Sequence, residues 1–414
     1  MTDSIDTVVV GGGQAGLAVS YHLTQQGCPH VVLEQAAQAA EAWRNHRWDS
    51  FTLVTPNWMV RLPGATYAGP DPDGYMPRLE IVAYFEQYVE RFKLPIRYQT
   101  RVEAVEPKDG GYRVTTDQGV YLAAQVVIAT GTFQHPRIAP ASANLPSELL
   151  QLNSDAYRNP QALPPGAVLV VGSGQSGCQI AEELYQSGRK VYLSVGRVGR
   201  IPRRYRGKDI TWWLYQVGFF DRMVDQLPSP DAKFAGNPQF SGKDGGHTLN
   251  LHQFVRDGVT LLGRLQEANG WHVRLALDLK ENLARVDKFE TETLKTIDAF
   301  IEKNGLAAPP GSVPHLRDGY ETEELTELDL KAAGVTSVIW ASGFGFDYSL
   351  VKLPVFDEDG YPVQRRGVTA YPGLYFVGLH WLYQFKSGLL LGVGEDAAFI
   401  ASEIAARKPA GSAD

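Results

Sequence analysis

The first residues able to do chemistry are three glycines. Gly11, Gly13 and Gly16 form G-x-G-x-x-G directly after Thr7–Val10, a short β-branched and apolar run that reads as a buried strand. Gly11 allows a tight turn. Gly13, lacking Cβ, lets a diphosphate approach the backbone, and Gly16 lets the next helix lie close on the strand. Gln14 and Ala15 belong to the same turn. The helix, read as Leu17 to Gln26, aims its N-terminal amides at the phosphates. The second strand, His30 to Glu34, ends in an acid 18 residues after Gly16, where a carboxylate meets ribose hydroxyls; Gln35 follows it. The motif then repeats. Val168–Val171 leads into Gly172, Gly174 and Gly177, with Gln175 and Ser176 between them. The strand Lys190–Ser194 ends without an acid. Arg197, Arg200, Arg203, Arg204 and Arg206 follow Ser194, and arginine welcomes a nucleotide 2′-phosphate that an acid would repel. A nucleic-acid or membrane patch is the rival reading of this run. Its place after a dinucleotide strand, with Pro202 interrupting any basic helix, favours the nucleotide.

These residues need two similar α/β lobes to position them. Between the loops, Trp43 to Phe51 and Thr52 to Trp58 form an aromatic-basic stretch suited to packing on a flat ring system rather than to solvent. Leu79–Phe92 has helical periodicity. Short runs at Ile96–Gln99, Arg101–Val105, Tyr112–Thr116 and Val120–Ala123 suggest a small antiparallel layer. Gln125–Ala129 returns to the first sheet and ends at Thr130-Gly131. The proline-bearing segment 140–165 reads as a crossing to the second lobe, whose glycine-loop helix is expected over Gln179–Ser187. Trp212–Phe220 is expected to be helical and Gly242–His252 to be a loop near the site or at an interface. Strands are expected at Thr260–Leu265 and Trp271–Leu277, and a long helix over Leu279–Lys303. Val338–Ala341, Leu374–Gly378 and a closing helix from Gly392 to Ala405 complete the pattern.

Composition narrows the classes. The chain has 414 residues and 44% hydrophobic content, enough for two cored domains. Net charge −7 gives no overall attraction to nucleic acid or anionic membrane. Asp3 and Asp6 replace a basic leader, and no apolar run approaches a membrane span. Cys28 and Cys178 form no C-x-x-C, which argues against a dithiol reductase and fits a reducing cytoplasm. No spaced His/Cys/Asp/Glu set for a metal is found.

Two glycine loops, the Ala129-Thr-Gly131 strand end and Phe376-Val-Gly378 together resemble the flavoproteins with two dinucleotide-binding domains. The finer resemblance is to the flavin-containing monooxygenases. It rests on Trp43-Arg44, Arg47-Trp48-Asp49, Leu53-Val-Thr-Pro-Asn57, Ala129–Pro136 and Trp340-Ala-Ser-Gly-Phe344. Within that family the chain is similar to a bacterial branch of flavin-dependent oxidoreductases often encoded beside a nitrilase, sharing Val195-Gly-Arg197, Arg203–Arg206 and Gly245-Gly246. One departure is clear. Asn153 stands where the family's fingerprint ahead of the second loop has histidine, which argues against Baeyer–Villiger chemistry.

The resemblance implies an α/β fold with two Rossmann-like domains, the FAD domain discontinuous and carrying the antiparallel layer. Residues 1–150 and 345–414 would hold FAD; 151–344 would hold NADPH, with a helical and loop segment at about 205–250. It adds Trp43, Arg44, Trp48, Thr55, Val102, Ala129, Thr130, Gly131, Ser342, Gly343, Gly378 and Gln384 to the residues contacting cofactor. Asn57 has two readings, a polar group over the flavin or an ordinary turn residue after Pro56. Gln175 is assigned to the nicotinamide diphosphate. His380 is placed facing the ring, against a purely structural reading, and Lys386 is weighed in the same way. The implied reaction passes hydride from NADPH to FAD and oxygen to a nitrogen- or sulfur-containing small molecule through a C4a-hydroperoxide. The alternatives are an oxidoreductase using another acceptor and a flavin-binding regulatory protein with little turnover. A homodimer is suggested by the family and by Trp212, Trp213, Phe219 and Phe220, taken as exposed.

Overall fold

The computed structural model describes residues 2–407, so residues 408–414 of the expected C-terminal span lie outside it. In chain order the elements used below are β1 (Thr2–Val10), α1 (Gln14–Gln25), β2 (His30–Leu33), α2 (Arg78–Phe92), β3 (Ile96–Arg97), β4 (Val102–Lys108), β5 (Gly111–Thr116) and β6 (Gly119–Ile128). Then come β7 (Leu150–Asn153), β8 (Ala167–Val171), α3 (Gln175–Gln186), β9 (Val191–Ser194), α4 (Ile210–Gln216), α5 (Leu251–Arg256), β10 (Thr260–Leu262), β11 (Leu265–Asn269) and β12 (His272–Leu275). The chain closes with α6 (Leu279–Lys303), β13 (Glu327–Asp329), β14 (Val335–Trp340), β15 (Leu374–Phe376) and α7 (Val393–Ala406).

The first sheet has seven strands, running β3-β2-β1-β6-β5-β4, with β15 also on β6. Strands β3, β2, β1, β6 and β15 are parallel; β4 and β5 join as an antiparallel meander. The expected antiparallel layer is present as β4, β5 and the first half of β6, continuous with the parallel sheet. Ile96 belongs to the parallel edge, and β6 is one strand whose first half pairs with β5 and second half with β15. Side-chain alternation explains both buried faces. Val9, Val32 and Val127 face α1 and α7, packing with Leu17, Leu23, Ile400 and Ile404. Val8, Val10 and Val126 face Tyr348, Val351, Val355 and Tyr361. Each fully buried aliphatic side chain contributes about 1.5–3 kcal/mol.

The second sheet is parallel throughout, in the order β7-β14-β8-β9-β10. Its edge strand β7 lies inside the segment read as a crossing, because Leu150-Gln-Leu-Asn153 is too short and too polar to stand out in the sequence. A separate antiparallel sheet, β11-β12-β13, takes the expected Trp271–Leu277 strand. Helix α6 has the expected bounds, burying Leu283, Val286, Leu294, Ile297 and Ile301 at helical spacing. The aromatic helix is shorter than expected: it ends at Gln216, and Gly218 at φ +73° turns the chain into a 3₁₀ turn at Phe219–Asp221. The loop expected through His252 ends where Asn250 caps α5. Trp213 and Phe220 are core residues, with Trp212 and Phe219 packed on them. This removes the exposed-aromatic argument for a dimer. Among the described residues, no helix is long and apolar enough to cross a membrane.

Candidate functional site: two glycine loops joined by paired crossovers

At the first loop, Gly11 has φ +103°, and a Cβ there would lie 2.8 Å from Ala129 O. A Cβ at Gly16 would lie 1.9 Å from Gly11 O, so helix and turn are in contact. Gly13 is different: an added Cβ meets no atom within 4 Å. Gly13 is the N-cap of α1, which starts at Gln14, three residues earlier than expected, and has no side-chain cap. The Glu34 carboxylate stands beside the turn. It accepts the Gly12 N–H at 2.7 Å through Oε2 and the Ala36 N–H at 2.8 Å through Oε1, keeping lone pairs for a ribose. Gln35 is exposed and Val102 is half-buried at the start of β4. Open space at Gly13, uncapped helix amides and an adjacent acid fit a dinucleotide such as FAD.

The C-terminal segment closes on this turn. Gly378 has φ +79°, and a Cβ there would come within 2.3 Å of Ala15 Cβ. Gln14 Nε2 donates to Gly388 O at 2.7 Å. Thr130 Oγ1 accepts from Gln134 Nε2 at 3.1 Å, and Gly131 takes φ +74° as the chain leaves β6.

The second loop repeats the geometry. Gly172 has φ +106° with a Cβ position 2.6 Å from Ala341 O, and Gly177 would collide with Gly172 O at 1.8 Å. Gly174 has room, its nearest neighbour being Val198 Cγ2 at 3.9 Å. It is the uncapped N-cap of α3, and Ser176 is half-buried in the first turn. The helix starts four residues earlier than expected. The glycine loops adjoin the two crossovers between lobes, and those crossovers pair with each other. Arg137 N–H donates to Gly343 O at 2.8 Å, Gln134 N–H to Gly345 O at 3.2 Å, and Ser342 Oγ to Arg137 O. Phe344 pairs antiparallel with Pro136.

The arginine run divides. Arg197 is exposed and makes no hydrogen bond or ion pair with another described residue. The other expected phosphate ligands are engaged elsewhere. Ser194 is buried, its hydroxyl donating to Gly263 O and accepting from Leu265 N–H, both at 3.1 Å. Arg203 is buried on Asp209 at 2.7 Å. Arg204 donates to Gly245 O and Gly246 O at 2.7 Å. Arg200 is paired with Asp287 and Glu290, and Arg206 with Asp298. A sequence reading of charge cannot see these partners, the farthest of which, Asp298 of Arg206, lies 92 residues away.

Several ring-facing expectations also change. Trp48 and Phe51 are in the protein core rather than on an open cofactor face, while Trp43 packs at its margin under Arg47. Arg44 is bonded to Glu86 at 2.6 Å. Thr55 is half-buried and Asn57 is buried. Asn57 Nδ2 donates to Asp71 O at 2.9 Å, as a turn residue would, but its Oδ1 is buried without a partner. Gln175 does not reach out from the loop: its amide brackets the Phe240 peptide, donating to Phe240 O and accepting Phe240 N–H at 3.3 Å. Gln384 turns to Asp221 O and Met223. Lys386 is ion-paired with Asp221 and Glu395 at 2.8 and 2.7 Å. His380 lies between Phe133 and Phe385, ring centroids 6.1 and 6.5 Å away, and burial lowers its pKa.

The glycine-rich loop lies at an interface between lobes, as the sequence suggested, but its ion pair was not read from the sequence. His247 Nε2 meets Glu182 Oε1 of α3 at 2.6 Å, while Gly246 and Gly242 of the same turn pack on Tyr75 and Leu53 O. The hydrogen bond to Glu182 raises the His247 pKa above its ordinary 6.5, opposed by burial and aided by Lys243 O and Asp244. The folded value is the higher one. The pair therefore stabilises fully below pH 6.5 and is lost as pH rises through the folded value. Thermal midpoints from about pH 5.5 to about pH 8.5 are expected to fall more for the natural protein than for His247→Asn; parallel curves would refute the linkage.

A family profile described as pyridine nucleotide-disulphide oxidoreductase matches residues 8–209. The chain is 34% identical over 407 residues to the uncharacterized oxidoreductase CzcO-like of Geobacillus kaustophilus, spanning 98% of this chain and 99% of that one. It is 30% identical over 204 residues to the indole-3-pyruvate monooxygenase YUCCA1 of Oryza sativa subsp. japonica, 48% of this chain and 50% of the relative. Its fold matches the flavin-containing monooxygenase from Stenotrophomonas maltophilia with TM-score 0.66 at 22% identity, over 98% and 99% of the two chains.

Proposed function

The chain belongs to the CzcO-like, flavin-dependent oxidoreductases, and from that membership we propose an FAD-dependent, NADPH-using monooxygenase acting on a nitrogen- or sulfur-containing small molecule. The pairing of the crossovers carries this reading. Gly11 abuts Ala129 and Gly172 abuts Ala341, and the segments that follow these alanines form one ribbon. Both nucleotide loops are thereby anchored at the same hinge. The lobe of residues 1–150 and 345–407 would hold FAD through Gly11–Gly16 and Glu34. Residues 151–344 would hold NADPH through Gly172–Gly177 and Arg197. When bound, the flavin supplies hydride acceptance and oxygen transfer to the substrate heteroatom. The protein orients the two nucleotides and excludes water. His380, its pKa lowered by burial, stays a neutral imidazole among aromatic rings at neutral pH. The printed name of the half-length relative and that of the structural match, both monooxygenases, support oxygen as the electron acceptor. So do Cys28 and Cys178, which are both free and lie 150 residues apart; free thiols also suit a reducing cytoplasm.

One observation favours a second reading, an oxidoreductase that releases its electrons as hydrogen peroxide or to another acceptor. Asn153 ends β7 at the fingerprint-histidine position, and its Oδ1 is buried without a partner. The deciding measurement is product stoichiometry. FAD-loaded protein is incubated with NADPH and a panel of amines and thioethers. An oxygenated product approaching one per NADPH consumed is expected. Hydrogen peroxide accounting for all the NADPH, whatever the substrate, would leave the second reading standing.

A further inference from the structure

We propose that Arg203 is a positioning residue that holds the second glycine loop in register with the Leu53–Asn57 segment; its bearing on hydride transfer rests on the two-nucleotide reading above. The guanidinium is 1% exposed and is the largest fully buried side chain in the described structure. It lies over two rings, with its central carbon 4.3 Å from the Tyr75 centroid and 4.8 Å from that of Phe240. Nη1 donates to Val54 O at 2.6 Å, and Nε donates to Asp209 Oδ2 at 2.7 Å. Asp209 also accepts the Tyr75 hydroxyl. Phe240 is in turn fixed to α3 by Gln175 on both sides of its peptide and by Gln179 Nε2 donating to Phe240 O at 3.1 Å.

One cation thus ties three parts of the chain. Val54 and Tyr75 belong to the first lobe, and Val54 lies three residues before Asn57. Gln175 directly follows Gly174 of the second loop. Arg203, Asp209 and Phe240 belong to the second lobe, Asp209 and Phe240 in its segment at about 205–250 and Arg203 just before it. The chemistry needs arginine. The flat guanidinium packs on both rings while its edge serves a carboxylate and a carbonyl, and a lysine ammonium cannot do both. A buried charge without Asp209 would be strongly destabilising, so the ion pair explains why the cation can stay inside. The consequence is for geometry. Hydride donor and acceptor must approach to about 3–3.5 Å, and a misplacement of about 1 Å costs about 100-fold in rate. A pin joining the second nucleotide loop to the first lobe sets that distance without touching either ring.

The variants are Arg203→Lys, Gln175→Leu and Phe240→Leu, the last leaving the Asp209 pair intact should Arg203→Lys fail to fold. Amide exchange is followed first on the protein without nucleotides. Faster exchange in residues 53–57 and 238–242 together, in each folded variant, is expected; change confined to one segment would overturn the pin. Anaerobic reduction of FAD-loaded protein by NADPH is followed next. The limiting rate at saturating NADPH should fall about 10- to 100-fold, with FAD content held within about threefold in each variant and the NADPH dissociation constant held within about threefold in Arg203→Lys and Phe240→Leu, neither of which lies in the glycine loop. Arg203→Lys/Gln175→Leu should lose little more than the worse single variant, because both break one chain of contacts. A raised constant for NADPH with an unchanged limiting rate would make Arg203 a phosphate ligand and overturn the proposal. A rate loss matching only lost FAD would reduce it to a folding residue. If the natural protein is not reduced by NADPH at all, the two-nucleotide reading fails, and amide exchange alone decides the pin.

Discussion

Gly13→Val protein is expected to fold normally and to come off purification without flavin. The nearest neighbours of an added Cβ at Gly13 lie beyond 4 Å, so the Cβ of a valine meets no protein atom there. What it fills is the space in front of the uncapped first turn of α1, where the FAD diphosphate would sit. Overpacking of this kind costs about 1–3 kcal/mol or more, roughly fivefold to 150-fold or more in affinity. Gly16→Ala supplies the contrast. Its Cβ would stand 1.9 Å from Gly11 O, a backbone atom that cannot step aside. That substitution should lower the thermal midpoint of the apoprotein itself, whereas Gly13→Val should not. Flavin absorbance per mole of protein and thermal unfolding of the apoprotein, read side by side, separate the two effects. A fully yellow Gly13→Val protein would remove FAD from the first loop.

Arg197→Ala should weaken NADPH far more than NADH. Within the run from 197 to 206, Arg200, Arg203, Arg204 and Arg206 are bonded to the protein's own carboxylates and carbonyls. Ser194 is closed off by Gly263 and Leu265. Arg197 is the exposed guanidinium beyond the end of β9 that has no described partner. A charge-assisted contact to a 2′-phosphate is worth about 1.5–3 kcal/mol, about tenfold to 150-fold in affinity. NADH lacks that phosphate and should change little. Arg204→Ala, which removes only contacts to Gly245 O and Gly246 O, should leave the ratio of the two constants where it was. Equal losses for both nucleotides in Arg197→Ala would show that the arginine serves another purpose.

By itself the sequence determined what depends on neighbours along the chain. The two turns were legible because positive φ and close backbone approach at Gly11, Gly16, Gly172 and Gly177 admit no side chain, and that requirement is written in residue type. Helix α6 was legible to its ends because its buried residues recur at helical spacing over many turns. The brief strand β7 was not, since four residues in a two-sided setting carry no period. Only the tertiary structure decided which polar groups are free. Arg197 and Arg203 look alike in the sequence, yet one faces solvent and the other is enclosed by Tyr75, Phe240, Asp209 and Val54. Trp48 was read as a cofactor cover and is core, and Gln175 as a phosphate ligand and is bound to Phe240. The physical reason is the same in each case. A buried charge or amide must find its partner wherever the fold brings one, and those partners lie 6 to 149 residues distant in the chain.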